Sequence, residues 1–309
     1  MASDEAVVLA LVEAVDRVRG ISRARLADLL VWAGSPGKVL DGGDLDYPDL
    51  TSEQLGALRA AFDPAAADGW EAQLVELRQR DPDVRVCTVT SPGYPVNLRD
   101  VYNRPPFLFT RGRLDATDDR SMAVVGTRSA SDEGLSLGRR LAAELAAAAV
   151  TVVSGLALGI DTAAHLGALD AGGRTIAVLG HGIARPAYPA ANRPLAARIV
   201  ASGQGAVVSH FTPDAPPTRQ TFPMRNVVTS ALSLGTVVIE AGPTSGAKQQ
   251  AERCLEHGKQ LFLVEHLVMT QEWVKQVAAR PGAVVVRGVD DILARVDALL
   301  TEATDSLIG

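Results

Sequence analysis

Between Met122 and Val286 the sequence repeats one pattern: a short apolar run, a turn, then a helical segment. The runs are Met122–Val125, Val150–Val153, Thr175–Leu179, Ala206–Ser209, Thr236–Glu240, Gln260–Val264 and Ala283–Val286. They are too short to be helices, and they are apolar on both faces. Runs of this kind read as parallel strands covered by helices on either side, because a strand with one wet face would alternate. Helices are predicted between them over Glu133–Ala148, Thr162–Asp170, Pro194–Ser202, Asn226–Ser233, Ala247–His257 and Gln271–Ala279, with a last one over Val289–Leu300. The alternation specifies an α/β fold, an extended Rossmann-like, doubly wound, mostly parallel sheet. A ligand of such a sheet sits at the carboxyl ends of its strands.

The first 80 residues have a different texture. Val8, Leu11, Val12 and Val15 share one helical face, and Ser22 reads as the N-cap of a second helix carrying Leu26, Leu29 and Leu30. Thr51-Ser52-Glu53 opens a third helix, and Gly69 to Arg80 forms a fourth. The expected division is a small helical domain over 1–80, a Rossmann-like domain over 81–300 that opens on the alternating segment Val84–Val89, and a flexible tail over 301–309.

The net charge of −6 argues against a protein coated in positive charge, but it hides a regional change. Residues 1–85 carry −7, residues 86–239 carry +4 and residues 240–309 carry −3. All 14 basic residues of the middle region are arginine, the side chain whose fork fits phosphate. With four lysines in the whole chain, codon bias explains much of the arginine count, though not the change of sign.

Two distant cysteines, Cys87 and Cys254, without a CxxC or Cys/His cluster, argue against a zinc site or a disulfide framework. They fit a reducing, cytoplasmic compartment. Met1 to Val7 lacks a basic segment, so no secretory signal is expected, and the longest apolar stretch, Leu145–Ile160, is too short and too glycine-rich to span a membrane.

Five strand-end motifs carry the candidate chemistry. Gly126-Thr127-Arg128 offers a tight turn, a hydroxyl, a guanidinium and the start of a helix, the parts of an anion site. Ser154-Gly155 opens a second glycine-rich turn, with Asp161 as the expected N-cap and His165 one helical turn on. Ser154, Asp161 and His165 have the residue types of a hydrolytic triad, but no GxSxG elbow is present, and His165 reads better as structural. Gly180 follows the third run, in Leu179-Gly180-His181-Gly182, where a plain turn and a ligand contact are equally good readings.

Phe222-Pro223-Met224-Arg225-Asn226 could take a base and its phosphate, or equally could be a packing Phe222 and a capping Asn226. In Glu240 to Lys248, Ser245-Gly246 suits an anion at a helix start with Lys248 in its first turn, while Glu240 could orient a basic partner or a ribose hydroxyl; a simple cap at Ser245 fits as well. Neither GxGxxG nor GxxxxGK[ST] occurs, so dinucleotide binding and ATP hydrolysis lose their usual sequence support. One shared groove with phosphate-type contacts accounts for the five motifs together.

From Tyr94 to Val264 the sequence resembles the DprA/Smf family of DNA-processing proteins. The anchors are Gly93-Tyr94-Pro95, Pro105 to Phe109 with Arg111-Gly112, Val125 to Arg128, Ser154 to Asp161 with Ala164-His165, Val178-Leu179-Gly180, Tyr188-Pro189 with Asn192, Phe222-Pro223 with Arg225-Asn226, and Glu240-Ala241 with Ser245-Gly246. The helical segment Gly20–Val39 is similar to the family's SAM-like domain. The resemblance implies single-stranded DNA binding, a homodimer, and loading of the RecA recombinase on incoming DNA in natural transformation. It implies no enzymatic activity and no cofactor. Carried over by motif, Gly126, Thr127, Arg128, Ser154, Gly155, Gly180, Phe222, Arg225, Asn226, Ser245, Gly246 and Lys248 form the expected DNA and phosphate site, with no catalytic and no metal-ligating residue.

The chain departs from the family pattern at His210, where Glu is usual, at Val227, where a second Arg is usual, and across Ala247 to Gln250. No winged-helix domain is expected after the Rossmann-like part. The alternative is a nucleotide-sensing or nucleotide-hydrolysing protein similar to the LOG-type phosphoribohydrolases, although their PGGxGT signature is absent.

Overall fold

The computed structural model describes residues 2–43 and 45–308, with side chains as far as residue 302. Its chain divides into two compact units, residues 1–94 with 99–110, and residues 95–98 with 111–309.

In the first unit, helices Asp4–Arg17, Arg23–Ala33, Pro36–Leu40, Ser52–Ala61 and Pro64–Arg80 each begin behind a side chain that accepts a backbone N–H. The caps are Ser3, Ser22, Ser35, Thr51 and Asp63, residues whose oxygen satisfies an orphan donor of the first turn. Ser35 followed by Pro36 starts a short helix that the apolar spacing does not announce. Leu9, Leu11, Leu26, Leu29, Leu30, Leu58 and Leu74 are fully buried. Strand β1 (Val84–Thr88) and all but the last two residues of β2 (Phe107–Gly112) cluster with these helices, so the division falls later than residue 80.

The second unit holds seven strands: β3 (Ser121–Val125), β4 (Thr151–Ser154), β5 (Thr175–Val178), β6 (Gly205–Ser209), β7 (Gly235–Val238), β8 (Gln260–Val264) and β9 (Ala283–Val286). They pair in the order β6-β5-β4-β3-β7-β8-β9. The pairings are parallel, with Met122 opposite Val152 of β4 and Gly235 of β7. The chain therefore runs outward from β3 to β6, returns to the far side of β3 and runs outward again. Loops leaving β3 and β7 part in opposite directions at that reversal and leave a crevice at the carboxyl ends. The apolar runs meet in one core, where Met122, Val124, Val237 and Phe262 pack with Leu141 and Leu145 of helix Asp132–Ala147.

Several boundaries differ from the expectation. The helix expected from Asn226 begins at Thr221, because Pro223 lies in the first turn, where a missing N–H costs nothing. Phe222 and Arg225 thus belong to one helix, Thr221–Ala231. The segment after β8 forms two short helices, Glu265–Thr270 and Glu272–Ala278. The last helix, Val289–Ile308, continues through most of the expected tail, and Gly309 lies outside the described residues. No helix among the described residues is long and apolar enough to cross a membrane.

Candidate nucleic-acid interface

A cleft of about 610 Å³ opens at the carboxyl ends of β3 and β7. Eight of the twelve expected residues line it: Gly126, Thr127, Arg128, Phe222, Arg225, Asn226, Ser245 and Gly246. They come from three stretches, 126–128, 222–226 and 245–246, the first more than 90 residues before the other two, brought together by the strand order.

The floor is backbone packed on backbone. Thr127 N donates to Glu240 O at 2.6 Å and Ile160 N donates to Thr127 O at 3.3 Å. Gly159, at φ 77°, lets the two turns touch, since a β-carbon there would sit 2.3 Å from Thr127 O. Leu156, buried at φ 58°, is held by Asn192, whose Nδ2 donates to Leu156 O at 2.8 Å and to Thr162 Oγ1 at 2.8 Å.

One wall is aromatic and cationic. The Phe222 ring lies on Gly180, with its Cδ1 2.8 Å from where a β-carbon would stand. Tyr188 leans on the outer side of Phe222 at 5.8 Å between centroids, and the Arg128 guanidinium lies 5.3 Å from the Phe222 centroid. Arg128 is exposed and has no carboxylate partner among the described residues.

Arg225 is buried at the back of the cleft. Its Nη1 lies 3.8 Å from the Asp161 carboxylate, and its Nε has no partner. Asp161 is not an N-cap: it lies inside helix Ile160–Asp170 and reaches back to accept from Gly155 N at 3.1 Å and Ala157 N at 3.3 Å. Burial pushes the Asp161 carboxyl up, opposed by the Arg225 guanidinium and the two amides. Burial likewise pulls Arg225 down, opposed by Asp161. A buried guanidinium with a spare donor at a cleft is suited to an anion that completes its partners.

The opposite wall is the start of helix Gly246–Glu256. Ser245 occupies the N-cap position but makes no capping bond, and its Oγ is buried without a partner. The free N–H groups of the first turn and the positive end of the helix dipole therefore face the cleft. Gln250, oriented so that its amide donates to Asn226 O at 3.2 Å and accepts from Ser230 N at 3.2 Å, ties this helix to Thr221–Ala231.

Four expected residues lie elsewhere. Ser154 is fully buried and its hydroxyl donates to Val124 O at 2.7 Å, so it has no donor left for a phosphate. Gly155 is covered by Arg225, and Gly180 by Phe222. Lys248 turns away, with its ammonium 5.7 Å from the Trp273 ring centroid. The start of helix Asp132–Ala147 is not open to an anion either. Glu240 accepts from Ser131 N at 3.1 Å and from Ser131 Oγ at 2.8 Å, and Ser131 Oγ caps Gly134 N at 3.0 Å. Glu240 is thus a structural carboxylate at that helix start, not a group that orients a ribose or a basic ligand.

No hydrolytic relay is assembled. His165 pairs through Nδ1 with Thr175 Oγ1 at 2.7 Å, and that hydroxyl donates to Val152 O at 2.7 Å, so Nδ1 carries the proton. Burial pushes His165 down to about 3, with Arg225 adding to the effect. Arg219, Tyr188 and Gln250 also line the cleft but were not among the expected site residues. Arg219 comes from a proline-rich loop without a local pattern to mark it. No group of three or more His, Cys, Asp or Glu suited to a metal occurs among the described residues.

The family described as DNA recombination-mediator protein A matches residues 85–297. A protein Smf of Escherichia coli is 40% identical over 192 residues, covering 62% of this chain and 50% of that protein. The DNA processing protein DprA of Streptococcus pneumoniae is 39% identical over 171 residues, covering 55% of this chain and 59% of its own. The chain thus spans about half the length of the curated relatives it matches. The crystal structure of DprA from S. pneumoniae superposes with a TM-score of 0.71 at 28% identity, covering 95% of this chain and 98% of that one. A Helicobacter pylori DprA, described for its single-stranded DNA binding mode, shares the fold with a TM-score of 0.60 at 23% identity, covering 71% of this chain and 97% of that one.

Proposed function

The chain belongs to the DNA recombination-mediator protein A family, and from that premise we propose that its strand-end cleft captures single-stranded DNA by the backbone. The observation that carries this reading is the convergence of Arg128, buried Arg225 and the uncapped start of helix Gly246–Glu256 on one cleft. Phosphates supply the missing partners of Arg225 Nε and Ser245 Oγ, and the Phe222–Tyr188 wall offers a surface on which a base can stack. The described DNA binding of the H. pylori relative agrees with this chemistry. The protein acts by binding and handing over a strand, without turnover and without a cofactor. Its further expected role is that of a cytoplasmic homodimer that loads a RecA-type recombinase in natural transformation.

Fluorescence anisotropy with a dT oligonucleotide tests the cleft. Binding should weaken as salt rises, because capture of phosphates releases counterions. Arg128→Ala should weaken binding to all sequences alike, and undiminished binding by that variant overturns the assignment. Light scattering tests the homodimer, and strand-exchange assays with a RecA protein test the handover.

The cleft volume also suits one nucleotide, which favours a second reading as a nucleotide-sensing or nucleotide-hydrolysing protein of the LOG type. Tight mononucleotide binding with no oligonucleotide binding would select that reading.

A further inference from the structure

Two loops of the second unit lie against each other beside the cleft. Gly182 N donates to Ala215 O at 2.8 Å and Ala184 N to Pro213 O at 2.9 Å, so the loop after β5 and the loop after β6 form one wall. Each contributes one residue to the cleft, Tyr188 from the first and Arg219 from the second. Behind them stand two more arginines. Arg185 Nη1 donates to Asp214 O at 3.0 Å, across the loop pairing. Arg193 Nε donates to Ala187 O at 3.3 Å, next to Tyr188. Both side chains are exposed.

Several arginines elsewhere in this unit are neutralised by carboxylates. Arg139 and Arg198 share Asp170, and Arg174 sits on Asp118 at 2.9 Å. Arg185, Arg193 and Arg219 have no carboxylate partner among the described residues. A backbone carbonyl uses one donor of a guanidinium and leaves its charge and its other N–H groups available. The sole acidic residue within positions 179–193 and 210–220 is Asp214, so the wall keeps a surplus of positive charge. The carbonyl bonds also fix two of the three guanidinia, which lowers the side-chain entropy lost when an anion binds.

We propose that this paired-loop wall is a second phosphate track, outside the cleft, on which Arg185 and Arg193 hold the continuation of the strand whose first nucleotides occupy the cleft. The partner is a phosphodiester polymer, since a mononucleotide filling the cleft has no phosphate to place there. The proposal rests on the reading of the cleft given above and adds to it an extent and a direction.

The test compares wild type, Arg185→Ala/Arg193→Ala and Arg128→Ala for binding of a dT trinucleotide and a long dT oligomer across a salt series. The double variant should bind the trinucleotide as wild type does. It should bind the long oligomer about tenfold more weakly, with a log–log salt slope smaller by about 1.4, the loss of two single-strand phosphate contacts. Arg185→Lys/Arg193→Lys should recover most of the affinity and the slope, which a folding defect would not allow. Unchanged long-oligomer affinity and slope in the double alanine variant overturn the track, as does an equal loss for both probes. If wild type binds neither probe, or Arg128→Ala binds both normally, the reading of the cleft itself fails.

Discussion

Arg225 lies directly on Gly155: a β-carbon placed on that glycine would stand 1.0 Å from Arg225 Nη1. The glycine is required by a side chain 70 positions away. Its own amide meanwhile binds Asp161, the carboxylate that faces the same guanidinium. The turn after β4, the acid in the next helix and the arginine of Thr221–Ala231 therefore form one unit.

Gly155→Ala should push Arg225 out of its seat. The expected cost is about 1–3 kcal/mol of stability from overpacking. DNA affinity should fall by more than tenfold, since the displaced guanidinium no longer faces the cleft. Urea unfolding and anisotropy on the same preparation check both, and unaltered DNA affinity would refute the coupling.

Removing Arg225 leaves Asp161 buried without its cation. Arg225→Met should destabilise the fold by about 3–5 kcal/mol. Adding Asp161→Asn should recover part of that loss, with a coupling of about 0.5–3 kcal/mol. Strict additivity in a double-mutant cycle would mean that the two groups do not interact.

Phe222 forms the wall between Gly180, Tyr188 and Arg128. Phe222→Ala should weaken oligonucleotide binding by about 1–3 kcal/mol if a base stacks on the ring, and Phe222→Tyr should retain most of the affinity. Equal affinity in the alanine variant would show that the wall packs but does not bind.

Acid should destabilise the protein through His165. The ring is neutral in the fold, pushed down to about 3, against about 6.5 in the unfolded chain. Between those values the unfolded chain binds the extra proton, so stability is full above about pH 6.5 and falls as pH drops. At pH 5 the loss from this group is about 2 kcal/mol. The raised Asp161 acts in the opposite sense, so the informative quantity is the difference between wild type and His165→Leu. That variant should flatten the acid limb of a plot of urea-unfolding free energy against pH, and an unaltered limb would refute the assignment.

His181 should hold Tyr188 in place. Its Nδ1 donates to Gly182 O at 2.9 Å and its Nε2 accepts from Tyr188 N at 3.2 Å, which uses both nitrogens of the neutral ring. His181→Leu removes the acceptor and should raise hydrogen exchange at the Tyr188 amide at least tenfold, while His181→Gln keeps an acceptor and should restore much of the protection. No change in exchange would show that the bond is not what fixes Tyr188.

The parallel sheet of the second unit was legible because β3 to β8 are buried throughout and each shows it in four or five residues, whereas β9 leaves Val284 and Val285 exposed. Two helix starts of the first unit were legible for a local reason too, since Ser22 and Thr51 are neighbours of the donors that they satisfy, whereas the helix expected from Gly69 begins at Pro64 behind Asp63 and the one at Pro36 was not expected. What a turn residue does with its polar atoms was not legible. Ser154 and Glu240 are as well placed in sequence as Ser245, yet Ser154 spends its hydroxyl on Val124 O and Glu240 spends its carboxylate on Ser131. Arg219 carried no signal because it enters the cleft by the course of its loop.

The sequence by itself determined a doubly wound sheet with its candidate chemistry at the strand ends, because burial periodicity and turn residues act over a few neighbouring positions. The tertiary structure decided which strand-end groups remain free to bind. That choice depends on the order β4-β3-β7, which sets Glu240 against Ser131, 109 positions away. It depends equally on the helix that lays Arg225 over Gly155, a contact between residues whose sequence separation says nothing of their distance in space.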